Sequence, residues 1–453
     1  MKCMTHNNLF TSNSKTSKII FRLISILVCI GLFFGTIKVL NFMYVQNYSW
    51  ERNNWHYFYT EEKNIDNLFV GSSHVYTGVN PFILDELNGD NNFNLAMASM
   101  RMNGCYYSIL EATKRNKVKN IYLELYYGVT VGENCGLDSW STLYTNWKST
   151  DNMRFSWNKL KYQLSMSSRD KYVETFFPFV RYRENLFDIG YIYGNIAEKR
   201  TEDYRNYRFS ETNDYGYTEH AGKGYLYADA TLVESGLLYN RSEALAQDEL
   251  MTKGVEECLE KIIDYCKEQG IKLTLFIAPV HGLHTEASGD YDAYYSRVSE
   301  IAGANGIDFY DFNLCKQEYF DTTDMPLFMD LGHLNHVGAE KYTKLLWDVV
   351  SGNIEKEKCF YQSYAEKRAD ETPRIYGMYW SEKEDGLRQY TIASNRDAGL
   401  EYRIVYIEGE EQEVIQDYSE NKSFLLDSDR QGTVRIELRD SGNDNLQSLC
   451  ISI

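Results

Sequence analysis

The chain has 453 residues and a formal net charge of -18 at pH 7, with 43% of its residues hydrophobic and 25% charged. That length accommodates two or three domains and that balance a mostly globular chain, while the acidity leaves no basic face for a phosphate backbone and excludes nucleic acid as a partner. The nine cysteines are scattered without Cys-x-x-Cys or metal-type spacing, so no disulfide framework, no metal and no cofactor is expected.

Residues 1–18 are polar and carry Lys2, Lys15 and Lys18, and read as a cytoplasmic tail. Residues 19–45 follow as an apolar stretch whose uncharged centre, Leu23 to Ile37, is flanked by Arg22 and Lys38. With those ends snorkelling it reaches the roughly 20 residues that a bilayer span needs. The segment Gly35-Thr-Ile-Lys-Val-Leu-Asn41 offers no small-x-small cleavage site, which disfavours a signal peptide. Positive charge on the short side keeps the N-terminus in the cytoplasm, so the rest of the chain is expected outside, anchored by a single transmembrane helix.

Beyond a polar, aromatic stalk (44–63), residues 46–128 and 236–355 alternate between strand and helix patterns. Strands are expected at 68–70, 93–98, 120–126, 272–279 and 307–311, with helices at 104–116, 254–269 and 291–304. This order predicts an α/β fold, a three-layer parallel-sheet unit of flavodoxin-like type, with its chemistry at the carboxyl ends of the strands.

Residues 129–235 interrupt that pattern. They hold Trp140, Trp147, Trp157, the run Phe176-Phe-Pro-Phe-Val180 and a tyrosine every few residues. A segment that long is expected to form an inserted, aromatic-rich cap over the strand ends, in which Arg181 and Arg183 are candidates for holding an anionic polymer. From 356 to 453 period-two alternation takes over, as in Val434-Arg-Ile-Glu-Leu-Arg-Asp440. Turns at Asp385-Gly, Asp397-Ala-Gly, Glu408-Gly-Glu and Asp440-Ser-Gly separate the strands, predicting a C-terminal all-β sandwich domain.

Two short stretches carry the candidate chemistry. In Leu68-Phe-Val-Gly-Ser-Ser-His-Val75 a buried strand stops at a glycine and turns. A serine there is exposed at the sheet edge, beside backbone N–H groups suited to an oxyanion. In Met329-Asp-Leu-Gly-His-Leu-Asn-His-Val-Gly338, Asp330 and His333 stand three apart just before a helix. A carboxylate so placed fixes the imidazole's tautomer and stabilises its protonated form. His74 and His336 are rival bases, and Ser72 reads as a turn neighbour. His281 and His284 follow the fourth strand at the active edge and are candidate substrate contacts.

Together the two stretches resemble the SGNH/GDSL hydrolase superfamily, and especially two membrane-anchored branches of it, the D-alanyl-lipoteichoic acid biosynthesis proteins and the alginate O-acetylation proteins. The resemblance implies Ser73 as nucleophile, His333 as base and Asp330 as its orienter. It also implies a glycine N–H and an asparagine side chain in the oxyanion hole. The segment Glu124-Leu-Tyr-Tyr-Gly128 departs from this in having no asparagine, which leaves the Ser73 N–H with Asn94 or Asn103 as oxyanion candidates. The implied activity is acyl transfer, with acetyl the expected substituent, to a cell-envelope or exported polysaccharide or a teichoic-acid-like polymer, alongside a multispanning membrane acyltransferase. An esterase removing acyl groups from such a polymer, and a catalytically silent glycan-binding scaffold, are the alternatives.

Overall fold

The computed structural model describes residues 14–47, 49–132, 135–136, 139–213, 216–240, 245, 250–396, 398–440 and 443–453. Most of the expected cytoplasmic tail therefore lies outside the described residues, as do Asp397, Ser441 and Gly442 of two expected turns.

The chain divides into two compact units. The first contains the described residues up to Asn47 together with Arg169–Asn206. Its N-terminal helix runs Ser14–Tyr44, and the stretch Lys18–Tyr44 is long and apolar enough to cross a membrane. Short helices follow in the second segment, at Tyr172–Phe176, Pro178–Asn185 and Ile189–Glu198. The 129–235 insertion is thus not one cap: 169–206 segregates with the N-terminal helix, and the remainder with the second unit.

The second unit is built on five parallel strands, β1 (Asn67–Val70), β2 (Asn92–Asn94), β3 (Asn120–Glu124), β4 (Lys272–Ile277) and β5 (Asp308–Asp311). Their order is β2-β1-β3-β4-β5. Leu68 pairs with Phe93 on one side and Ile121 on the other, and Ile121 in turn with Leu273. The strands read as apolar runs because both faces are covered. Period two then divides the core. Leu68, Val70, Ile121, Leu123, Leu275 and Ile277 join one apolar cluster, whereas Phe69, Tyr122 and Phe276 join the other. Helices Met102–Arg115, Lys253–Gln269 and Tyr291–Asn305 supply Ile109, Ile262 and Val298 to the first. The helix His336–Val350 gives Tyr342 and Leu346 to the second.

Two elements differ from the sequence reading. The expected stalk contains a helix, Ser49–Thr60, whose Trp55 and Phe58 are buried in the first core and whose Asn54 Nδ2 donates to the Ala96 carbonyl at 2.9 Å. The tail does form two four-stranded sheets, but one of them takes an edge strand from mid-chain. Leu238–Asn240 pairs in parallel with Ile375–Glu382. The second apolar cluster also runs on without a break into Met378, Ile404 and Ile436 of the tail. These strands therefore share a core with the α/β part instead of closing on themselves.

Candidate active site

β1 ends at Gly71, where a Cβ atom would lie 2.6 Å from Glu124 Cβ and 2.7 Å from Val75 Cγ2. Only glycine lets the end of β1 pass this close to the end of β3. Ser72 then caps the helix Ser73–Gly78, its Oγ accepting from the His74 N–H at 3.3 Å. Both the N–H and the Oγ of Ser72 donate to Glu124 Oε2 at 2.7 Å. Burial pushes the Glu124 carboxyl up to about 7 against the lowering effect of these bonds. Ser72 is thus spent on holding the turn, and Ser73 is the residue presented beyond it.

Ser73 Oγ lies 2.8 Å from His333 Nε2, and His333 Nδ1 lies 2.9 Å from both oxygens of Asp330. Asp330 Oδ1 also accepts from the N–H groups of Gly332, at 2.7 Å, and His333, at 2.9 Å. Burial raises the Asp330 carboxyl, but the His333 bond and charge and these N–H groups together hold it below the usual carboxylate range. The loop is pinned from both sides. Met329 N–H donates to the His333 carbonyl, His281 N–H donates to Leu331, and Asn335 caps the following helix through the N–H groups of Val337 and Gly338. This is the geometry of a serine nucleophile, a base and the base's orienter, brought together across 260 residues.

The rival bases have other partners, although His74 also lines the cleft, its ring centroid 4.9 Å from that of His333. His336 begins the helix His336–Val350, with Nδ1 2.9 Å from the Ala228 carbonyl and its ring stacked on Tyr227. His74 is buried with its ring edge-on to Tyr126 and its Nδ1 3.7 Å from Glu124 Oε1. Burial, then His333 and His284, hold His74 well below the ordinary imidazole range. Gly332 makes room for it, since a Cβ there would sit 3.3 Å from His74 Nε2.

The triad lines a cleft of about 880 Å³ together with Ser99, Tyr126, Leu232, Tyr239 and His284. His284 is one of the two histidines expected at the active edge. Its Nδ1 is in hydrogen-bond contact with the Tyr127 hydroxyl, and its Nε2 faces the hydroxyls of Tyr126 at 3.3 Å and Tyr239 at 3.4 Å. Burial, followed by the adjacent His333, pulls it down to about 4. His284 is therefore a neutral collector of phenols on the cleft wall. The other, His281, is buried away from this cleft and caps its own helix by accepting from the Leu283 N–H at 3.2 Å.

The asparagine candidates do not reach the cleft. Asn94 is fully buried, its Nδ2 donating to the Val75 carbonyl at 2.9 Å and its Oδ1 accepting from the Ala96 N–H at 3.1 Å. Asn103 is buried at the start of its helix and accepts from the Gly104 N–H. Arg181 and Arg183 belong to the other unit, where Arg181 Nε donates to the Pro178 carbonyl and Arg183 pairs with Glu174.

Sequence reasoning missed Ser99, Tyr126 and Tyr239 on the cleft wall. Ser99 carries no sequence signal: it is exposed at a φ of 51° after β2, among buried Leu95, Ala96, Met97 and Met100. Tyr126 stands in the very segment where the resemblance implies an asparagine, so its place was readable and its role was not. No protein-family model matches the chain, and a search of curated proteins finds no match either.

Proposed function

We propose that the protein is a membrane-tethered, extracytoplasmic serine acyltransferase of SGNH/GDSL type that O-acetylates a cell-envelope or exported polysaccharide. The observation that carries this reading is the continuous contact from Ser73 through His333 to Asp330 at the wall of a cleft wide enough for a sugar ring. His333 takes the Ser73 proton as Oγ attacks the acyl carbonyl, then gives it to the departing donor oxygen. In the second half a sugar hydroxyl loses its proton to His333, attacks the acyl-serine and leaves Ser73 protonated again. Asp330 stays ionised and holds the ring for both halves. Oxyanion donors come from the cleft wall, where the N–H groups of Ser73 and Ser99 and the Tyr126 hydroxyl are the candidates.

The helix Lys18–Tyr44 supports a single-pass anchor, and the basic flank an N-terminus in the cytoplasm. Acyl-CoA is not freely available outside, so a multispanning membrane acyltransferase is the natural supplier of the acyl group. A second reading, removal of acyl groups by hydrolysis, is favoured by one observation: the His333 side chain stays 26% exposed, so water reaches the base. Supplying an activated acetyl ester to the full chain in detergent, with and without an oligosaccharide acceptor, separates the two. Transfer predicts acetylated sugar at the expense of free acetate; acetate release that ignores the acceptor favours the esterase.

A further inference from the structure

The end of the N-terminal helix is capped by the chain that returns to it. Asn195 Nδ2 donates to the carbonyls of Met43 at 2.9 Å and Val45 at 3.0 Å, and Tyr191 Oη donates to Tyr44 at 2.7 Å. Lys199 Nζ donates to Phe42 at 2.9 Å and also to Val45. In return Tyr44 Oη donates to the Leu186 carbonyl at 3.1 Å. These are the carbonyls that a helix leaves without internal partners, and burying a cation among them suits the negative end of its dipole. Such thorough capping matters most where water is scarce, because lipid offers orphaned carbonyls nothing.

The helix Ile189–Glu198 that supplies the cap has its polarity reversed. Tyr191, Asn195 and Lys199, spaced by four, turn their polar atoms inward onto the helix end. Ile189 and Tyr193, also four apart, are 81% and 74% exposed, and Phe187 just ahead of them is 95% exposed. In water the exposed apolar face of this arrangement is unfavourable. The same unit also reaches down the N-terminal helix. Phe177 packs edge-on against Phe33 with centroids 6.2 Å apart, and the Phe179 N–H donates to Asn41 Oδ1. Phe33 precedes Tyr44 by about eleven residues, about 16 Å along the axis at roughly 1.5 Å per residue. If Lys18–Tyr44 spans the bilayer, Phe177 lies at acyl-chain depth.

We propose that residues 176–193 form a foot embedded in the outer leaflet of the membrane, with Phe177 beside the span and Phe187, Ile189 and Tyr193 at the boundary between head groups and acyl chains. The occupant of this open apolar face is lipid, because the face is continuous with a helix that is itself apolar and exposed along its length. Aromatic residues at that depth are the side chains an interface favours. The inference rests on reading the N-terminal helix as a span.

The test is lipid-borne quenching in the full chain, reconstituted in vesicles of equal phosphatidylcholine and phosphatidylglycerol. With Cys3, Cys29 and Cys450 replaced by serine, single cysteines at Phe187 and Ile189 carry an environment-sensitive fluorophore. Leu27 in the span and exposed Asp203 of the same unit serve as references. The foot predicts blue-shifted emission at 187 and 189, lost to a spin label near the head groups more than to one near the chain ends, with Leu27 showing the opposite preference. Emission at 187 and 189 that matches Asp203 while Leu27 is quenched overturns the foot and leaves the span. A blue shift without lipid quenching means that protein covers the face, and also overturns it. An unquenched Leu27 removes the span and the foot together.

Discussion

Adjacent serines at the end of β1 have different tasks. Ser72 gives both its donors to Glu124, and Ser73 gives its hydroxyl to His333. Replacing Ser73 or His333 with Ala should cut turnover of a small aryl ester by roughly 10³–10⁶, since members of a triad act as a unit. Ser72→Ala should keep most of that activity and lose about 1–3 kcal/mol of stability, because the buried Glu124 oxygen loses a donor. His336→Ala should lose less than about tenfold, as its contacts are with Ala228 and Tyr227. Tyr126→Phe should lower kcat by roughly 10²-fold with little change in KM if the phenol serves the oxyanion; an unchanged kcat removes it from that role. Glu124 yields a prediction with a sign. Its carboxyl is raised from 4.5 to about 7, so the folded state holds the proton more tightly than the unfolded chain. The stability this contributes is fully present below about pH 4.5 and is lost as pH rises toward 7, on the order of 3 kcal/mol. Glu124→Gln keeps an acceptor for Ser72 and cannot ionise. Its melting temperature should overtake that of the wild type above pH 7, and parallel melting curves across pH 4–8 would refute the assignment.

At the scale of elements, what the sequence revealed follows from how local each signal is. Four of the five strands were legible from the local pattern and the second only in part, expected at 93–98 and found at Asn92–Asn94, while the Gly-Ser-Ser turn and the Asp-x-x-His pair were legible as compact motifs, because each is fixed by neighbours in the chain. Helix Ser49–Thr60 was not legible. Its buried positions include Glu51, Asn53 and Asn54 beside Trp50, Trp55 and Phe58, so no aliphatic stripe announces it. Trp55 is fully buried, and Trp55→Ala should cost about 3–5 kcal/mol in denaturant unfolding; a loss under about 1 kcal/mol would mean the segment is the loose stalk its composition suggests. The cluster of phenols on His284 was hidden for a different reason. Tyr126, Tyr239 and His284 come from three distant stretches, and only the closed fold puts their polar atoms within 3.4 Å.

For the whole molecule, the strand order β2-β1-β3-β4-β5 places the switch in direction between β1 and β3, the crevice where open α/β sheets bind their ligands. Ser73 leaves the end of β1 and Tyr126 follows β3, so the candidate nucleophile and the wall opposite it sit where this topology favours a site. The division of the insertion was beyond sequence reasoning, because aromatic residues look alike whether they line a cap or cover a helix end. The proposed chemistry requires Ser73 to be an activated nucleophile. The most direct test is the intact mass of the full chain after exposure to a fluorophosphonate, with the modified peptide then sequenced. An activated Ser73 should give a single adduct on that residue that vanishes in Ser73→Ala and is strongly slowed in His333→Ala. Folded protein that stays unmodified, or an adduct on Ser72, would contradict it.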